Sequence, residues 1–245
     1  MKLDALAFGA HADDVELACS GTILKLGALG YKTGVIALTQ GEMATRGSVE
    51  IRAQEFAQSA KTMELSTHKI LDIPDGRIED TWENKLKIID EIRTHRPRIL
   101  FAPYWISRHP DHDKTSSLIR EAAYLSGLKK LETEKKAYRP YKIIYYQTRF
   151  EFKPTFIVDI SEFQEKKMKA ILCYKSQFHH QDKEKFGKDE TLISSPEFLS
   201  RIEARDRHYG TLIGVKFGEP FLVREAIRIN DPVDFFDEEY LGTIP

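Results

Sequence analysis

Short apolar runs alternate with longer stretches of helical period over the first half of the chain. Residues 3–8 form the first apolar run, and 15–29 read as a helix that Gly30 stops in a left-handed conformation. A second strand follows at 32–38, and a helix at 49–63 opens on the Ser48 cap. The spacing then predicts a strand at 69–73, a helix at 82–96 with Leu86, Ile89 and Ile92 on one side, and a strand at 99–102. Strands separated by helices lie parallel. The pattern therefore predicts an α/β fold, a mostly parallel sheet with helices on both faces and a core strand order 3-2-1-4-5.

The remainder is less regular. Residues 143–146 and 155–158 read as strands, Ser161-Glu162-Phe163-Gln164 is a capping box opening a helix to about Tyr174, and Ser195-Pro196 opens another to about Tyr209. Between them, 179–194 is polar and charged. It reads as a loop, with a lid as one use for it and His179-His180 as an exposed pair.

Two polar motifs interrupt this frame where a parallel sheet binds ligands. Ala10-His11-Ala12-Asp13-Asp14 fills the turn after strand 1, and His109-Pro110-Asp111-His112 follows strand 4. A phosphate site would place glycines in the first turn; two carboxylates there repel an anion and attract a cation. His11 and Asp14 are three apart, as are His109 and His112, so each pair can converge from one helical turn. In the order 3-2-1-4-5, the carboxyl ends of strands 1 and 4 flank the point where the winding reverses.

Composition narrows the partners. The 245 residues contain no Gly/Ser/Pro-rich linker, so a single domain, 1–245, is expected, and 41% apolar content is enough for its core. A net charge of -1 gives no electrostatic footprint for nucleic acid or an anionic membrane. The densest cations, Lys129, Lys130, Lys135 and Lys136, are interleaved with Glu132 and Glu134. No apolar run approaches the roughly 20 residues of a membrane helix, and no signal-peptide pattern opens the chain, so a soluble cytoplasmic protein is expected. Cys19 and Cys173 both fall in helical patterns and read as buried thiols.

A catalytic zinc takes three His or carboxylate ligands and keeps one position open, and His11, Asp14 and His112 supply that set. Asp13 is left free to act as general base, and His109, held protonated by Asp111, to stabilise an oxyanion or protonate a leaving amine. Two histidines and a carboxylate also suit a non-haem iron oxygenase, but the βα pattern is not its usual β-rich barrel. A non-catalytic metal or sugar-binding module has no need of Asp13 and His109. Taken alone, Arg52 reads as a helix-surface ion pair with Glu50 or Glu55.

The A-H-A-D-D turn, the R-H-P-D-H segment at 108–112 and Leu38-Thr39-Gln40-Gly41-Glu42 resemble the PIG-L/LmbE-like zinc N-deacetylases over residues 1–177. Thr45-Arg46-Gly47, Val49-Glu50-Ile51-Arg52 and Tyr174-Lys175-Ser176-Gln177-Phe178 are most similar to the bacillithiol-biosynthesis branch. Ala12 replaces the proline usual in A-H-P-D-D. The resemblance implies a Rossmann-like fold, zinc on His11, Asp14 and His112, Asp13 as base, and His109 as the charged partner of the tetrahedral intermediate, oriented by Asp111. It further implies Arg52 and Arg108 as substrate contacts, a homo-oligomer, and an N-acetylglucosamine conjugate as substrate. N-acetylglucosaminyl-L-malate comes first, with an inositol conjugate or a chitooligosaccharide as alternatives. A guanidinium holds carboxylate bidentately, which is the physical part of the expectation for Arg52.

Overall fold

A computed structural model describes residues 1–178 and 191–236. The elements are β1 (Ala5–Gly9), α1 (Asp14–Ala28), β2 (Thr33–Ala37), α2 (Val49–Thr62), β3 (Thr67–Ile70), α3 (Trp82–His95), β4 (Ile99–Pro103) and α4 (Pro110–Leu125). They continue with β5 (Lys142–Tyr146), β6 (Phe156–Asp159), α5 (Gln164–Ile171), α6 (Phe198–Leu212), β7 (Gly218–Leu222) and a short α7 (Pro232–Phe235). One seven-stranded sheet runs β3-β2-β1-β4-β5-β7-β6. Its first five strands are parallel in the expected order, and β7 and β6 add an antiparallel extension.

Alternation along each buried strand divides the core in two. Ala5, Ala7, Val35 and Ala37 meet Val15 and Ile23 of α1, Phe56 of α2 and Ile171 of α5 on one face. Leu6, Phe8, Ile36 and Leu100 meet Ile88, Ile89 and Ile92 of α3 and Leu118 and Ile119 of α4 on the other. Gly30 does carry a positive φ of 86°, and Ser48 Oγ does accept the Ile51 N–H at 3.3 Å.

Several expectations are corrected. The capping box at Ser161 does not form, because Ser161 Oγ donates to Asp159 Oδ1 at 2.6 Å and accepts from the Phe217 N–H at 3.1 Å. Phe163 is the N-cap of α5 instead, and the helix stops at Ile171, leaving Cys173 half-buried in the following turn. α6 starts at Phe198, beyond Pro196, and β3 occupies 67–70 rather than 69–73. Of the expected loop, 179–190 lies outside the described residues, His179 and His180 included.

Helix α1 is broken at Cys19, whose φ of -144° interrupts the hydrogen-bond ladder. The Leu17 carbonyl that Gly21 would have met accepts Arg205 Nη2 at 2.6 Å, and the Gly21 and Thr22 N–H groups donate to Glu219 at 2.9 and 2.7 Å. Lys167 Nζ lies 2.8 Å from Glu219 and 2.7 Å from Asp206, with all three side chains fully buried. Glu219→Ala would leave two N–H groups and part of a buried ammonium uncompensated. It is expected to cost about 3–5 kcal/mol in urea unfolding, as breaking a buried ion pair does.

Candidate metal centre

The first motif occupies a turn that few residues tolerate. A Cβ on Gly9 would lie 2.8 Å from the His11 carbonyl oxygen and 3.0 Å from Asp14 Cβ, so the exit from β1 needs glycine. Asp13 is the N-cap of α1 at φ 136°, a conformation costing about 1–3 kcal/mol in a non-glycine residue. Its carboxylate does not cap the helix. It faces Arg52 Nη1 at 3.5 Å, while the same nitrogen donates to the Ala12 carbonyl at 3.0 Å. Asp14, the first residue of α1, accepts the His11 N–H at 2.9 Å through Oδ2.

The second motif forms the start of α4, a helix absent from the sequence reading. His109 is its N-cap, with Nδ1 accepting the Asp111 N–H at 3.3 Å, and Pro110 fills the first turn where no N–H is needed. His112, one turn in, points Nε2 at Asp14 Oδ1 at 3.1 Å. His11 Nδ1 lies 3.6 Å from Asp14 Oδ2, so one carboxylate is shared by the two imidazoles.

Ligand atoms of His11, Asp14 and His112 lie within 4.8 Å of one another, and so do those of His11, His109 and Asp111. The structure thus brings the two motifs together and offers, among the described residues, two overlapping triads. Asp111 does not meet His109 in the manner expected: its carboxylate accepts the Gly76 N–H at 2.8 Å and lies 3.4 Å from His11 Nε2. Its backbone N–H is what orients His109.

Asp75 is a site residue that sequence reasoning missed. Its Oδ1 lies 3.0 Å from His11 Nε2, its Oδ2 accepts the Met43 N–H at 3.1 Å, and its own N–H donates to Glu42 Oε1 at 2.7 Å. The available signal was an acid just past a predicted strand, in a Pro-Asp-Gly turn where Gly76 has φ 70°.

Charge explains the protonation of the cluster. Burial pushes the His11 imidazole down, but Asp111, Asp14 and Asp75 outweigh it and hold the group well above its usual range. Burial favours a neutral Asp14, yet His112 and His11 hold it well below the carboxylate range. Asp75 is drawn down to about 2, against its burial, by the hydrogen bond and charge of His11. Asp13 goes the other way: burial, opposed by Arg52 and reinforced by Asp14, raises it to about 7. His109 is lowered by burial and by the neighbouring His11 and His112, against the raising effect of Asp111 and Asp14. The ring nitrogens and carboxylates are a donor set suited to zinc, and the excess of carboxylates around one imidazolium suits a divalent cation.

Arg52 is only 5% exposed and braces the Asp13 turn. Its expected partners are engaged elsewhere: Glu50 with Ser48 Oγ at 2.7 Å, and Glu55 with the N–H and hydroxyl of Ser176, both at 2.7 Å. Nη1 is thus committed to the Asp13 turn, whereas Nε is buried without a hydrogen-bond partner among the described residues. Gln177 Nε2 donates to the Arg46 carbonyl at 2.9 Å, so the segments that carried the narrower resemblance are fastened to each other. Arg108, one residue before His109, is exposed.

Residues 6–123 match the family described as PIG-L: GlcNAc-PI de-N-acetylase. The chain is 31% identical over 180 residues to a diacetylchitobiose deacetylase of Thermococcus kodakarensis, covering 69% of this chain and 67% of that protein. It is similar to a conserved protein from Thermus thermophilus, TT1542, with a TM-score of 0.84, 34% identity, and 93% and 98% of the two chains covered. It also resembles the N,N'-diacetylchitobiose deacetylase of Pyrococcus horikoshii, with a TM-score of 0.76, 28% identity, and 89% and 82% covered. No helix among the described residues is long and apolar enough to cross a membrane.

Proposed function

We propose, from the premise that the chain belongs to the PIG-L de-N-acetylase family, that it is a zinc-dependent N-deacetylase of N-acetylglucosamine conjugates. The observation that carries the reading is the convergence of His11, Asp14 and His112, with ligand atoms within 4.8 Å of one another, while Asp13 next to Asp14 stays outside that set and faces Arg52. Asp14 is pinned in its ionised form between two imidazoles, whereas Asp13 beside it is raised to about 7. Paired carboxyls pushed apart in this way take separate roles, one as ligand and one as base.

His11, Asp14 and His112 would hold the metal. Zinc in that position supplies Lewis-acid polarisation of the amide carbonyl and acidifies water. Asp13 takes the proton of the attacking water, and Arg52 keeps its carboxylate in place. His109, with Nδ1 occupied by the Asp111 N–H, presents Nε2–H to the oxygen on which negative charge develops. When the C–N bond breaks, Asp13 returns the proton to the amine, and the hydroxyl from water leaves in acetic acid, which releases its proton to solvent to give acetate.

The choice of aglycone rests on narrower support. The Thr45-Arg46-Gly47 and Tyr174 to Phe178 motifs favour N-acetylglucosaminyl-L-malate, with Arg52, whose Nε lacks a partner among the described residues, and exposed Arg108 as the cations for its carboxylates. A chitooligosaccharide is the second reading, favoured by the names of the Thermococcus and Pyrococcus relatives. Acetate release from the malate conjugate, the inositol conjugate and diacetylchitobiose tests both. Faster turnover of diacetylchitobiose selects the second reading, and no acetate from any of them with zinc bound would sink the deacetylase reading. In the malate case Arg108→Ala is expected to raise KM about tenfold for that substrate, the worth of one charged hydrogen bond, and to change the neutral disaccharide little.

A further inference from the structure

We propose that Ser107 and Thr148 are positioning residues that fix which ring nitrogen of His112 faces Asp14, and thereby set the zinc affinity of the site. This rests on the reading that Asp14 and His112 hold the ion. Ser107 Oγ lies 3.1 Å from His112 Nδ1, and Thr148 Oγ1 donates to Ser107 Oγ at 3.0 Å. The far nitrogen of His112 therefore meets a hydroxyl pair, whereas His11 Nε2 faces the carboxylates of Asp75 and Asp111.

The fold explains why the hydroxyls meet. β4 and β5 are parallel neighbours paired at Pro103 and Tyr146, so the loops that follow them leave the sheet side by side. Gln147, next to Thr148, accepts a hydrogen bond from the Tyr209 hydroxyl at 2.6 Å, which ties the end of β5 to α6. Ser107 is thus braced from β5, a strand that supplies no residue to either triad.

The chemistry follows from counting lone pairs. His112 directs Nε2 at Asp14, so metal ligation uses the Nε2 lone pair and leaves the ring hydrogen on Nδ1. Thr148 occupies one lone pair of Ser107 Oγ, and the second is free to accept Nδ1–H. Without that acceptor, nothing at 107 favours the ligating tautomer or holds the ring plane. Groups behind a metal-bound histidine typically change metal affinity by about 10–100-fold.

Zinc affinity by chelator competition on the full chain tests this. Ser107→Ala is expected to weaken binding ~10–100-fold, Ser107→Thr to restore it to near the parent value, and Thr148→Val to weaken it by about threefold. ¹⁵N NMR of the zinc-loaded protein should place the His112 ring hydrogen on Nδ1 and show it exchanging slowly with water in the parent but fast in Ser107→Ala, a change that a merely structural serine would not produce. A ring hydrogen on Nε2, or parent affinity in both Ser107→Ala and Thr148→Val, overturns the proposal. Should Ser107→Ala fail to fold, the NMR assignment and Thr148→Val decide. His112→Ala separates the two readings: parent affinity there removes the metal assignment itself, whereas a loss there with none in Ser107→Ala removes only the hydroxyl pair.

Discussion

Asp13→Asn is expected to lower kcat for acetate release by ~10²–10⁴, the usual worth of a general base, while bound zinc stays at the parent level. Asparagine matches aspartate in shape and tolerates positive φ comparably, so the turn at φ 136° should persist. Arg52 keeps its hydrogen bond to the Ala12 carbonyl, and what is removed is the carboxylate charge opposite Arg52 together with the capacity to take a proton. A pH profile sharpens the test. A base works only when ionised, so kcat/KM should rise with pH through the ionisation of Asp13. Burial places that ionisation at about 7 in the metal-free chain, and a cation beside it would draw it lower. The rising limb should vanish in Asp13→Asn, because asparagine does not titrate. A kcat close to the parent value, or an unchanged acid limb, would remove Asp13 from the base role.

The parallel half of the sheet was legible because strands covered on both faces read as short apolar runs, and the βα alternation then leaves few orders open. Of the antiparallel extension, β6 was readable as the strand at 155–158, but β7 was not. β7 contains Gly218, Glu219 and Pro220, an unpromising strand in any pattern, and it is held by partners distant in sequence. Glu219 reaches Gly21 across 198 residues. The capping box failed for a related reason: its serine is claimed by Asp159 and Phe217, and local signals do not report such competition. In the site, both motifs were readable because their spacing is local and the switch point brings them together. Asp75 was not, since its role depends on a contact with His11 across 64 residues. Arg52 shows the converse. Helical spacing suggested Glu55 as its partner, but Ser176, 121 residues further along, engages that carboxylate, and the guanidinium turns to Asp13.

Two overlapping triads share His11, and a pair of substitutions decides between them. Asp14→Ala is expected to weaken zinc binding by ~10²–10⁴, the fold-change equivalent to losing one member of a buried charge pair at about 3–5 kcal/mol. Asp111→Ala is expected to weaken it by only ~10–100-fold, as for a group behind the ligand. The difference follows from where each carboxylate is spent. Asp14 places Oδ1 toward His112 and Oδ2, which also accepts the His11 N–H, toward the His11 ring, so it meets two imidazoles where Asp111 meets one. Asp111 already has an oxygen on the Gly76 N–H and faces the His11 nitrogen that points away from Asp14. Unfolding should agree with the binding measurement. Zinc at about 100 times its Kd stabilises the parent by about 2.7 kcal/mol, so its melting midpoint should rise, and the Asp14→Ala midpoint should not respond at the same zinc concentration. The reverse ranking, with Asp111→Ala losing zinc and Asp14→Ala retaining it, would move the metal to His11, His109 and Asp111. His109 could not then serve as the oxyanion partner, and His112 would be the imidazole left for that role.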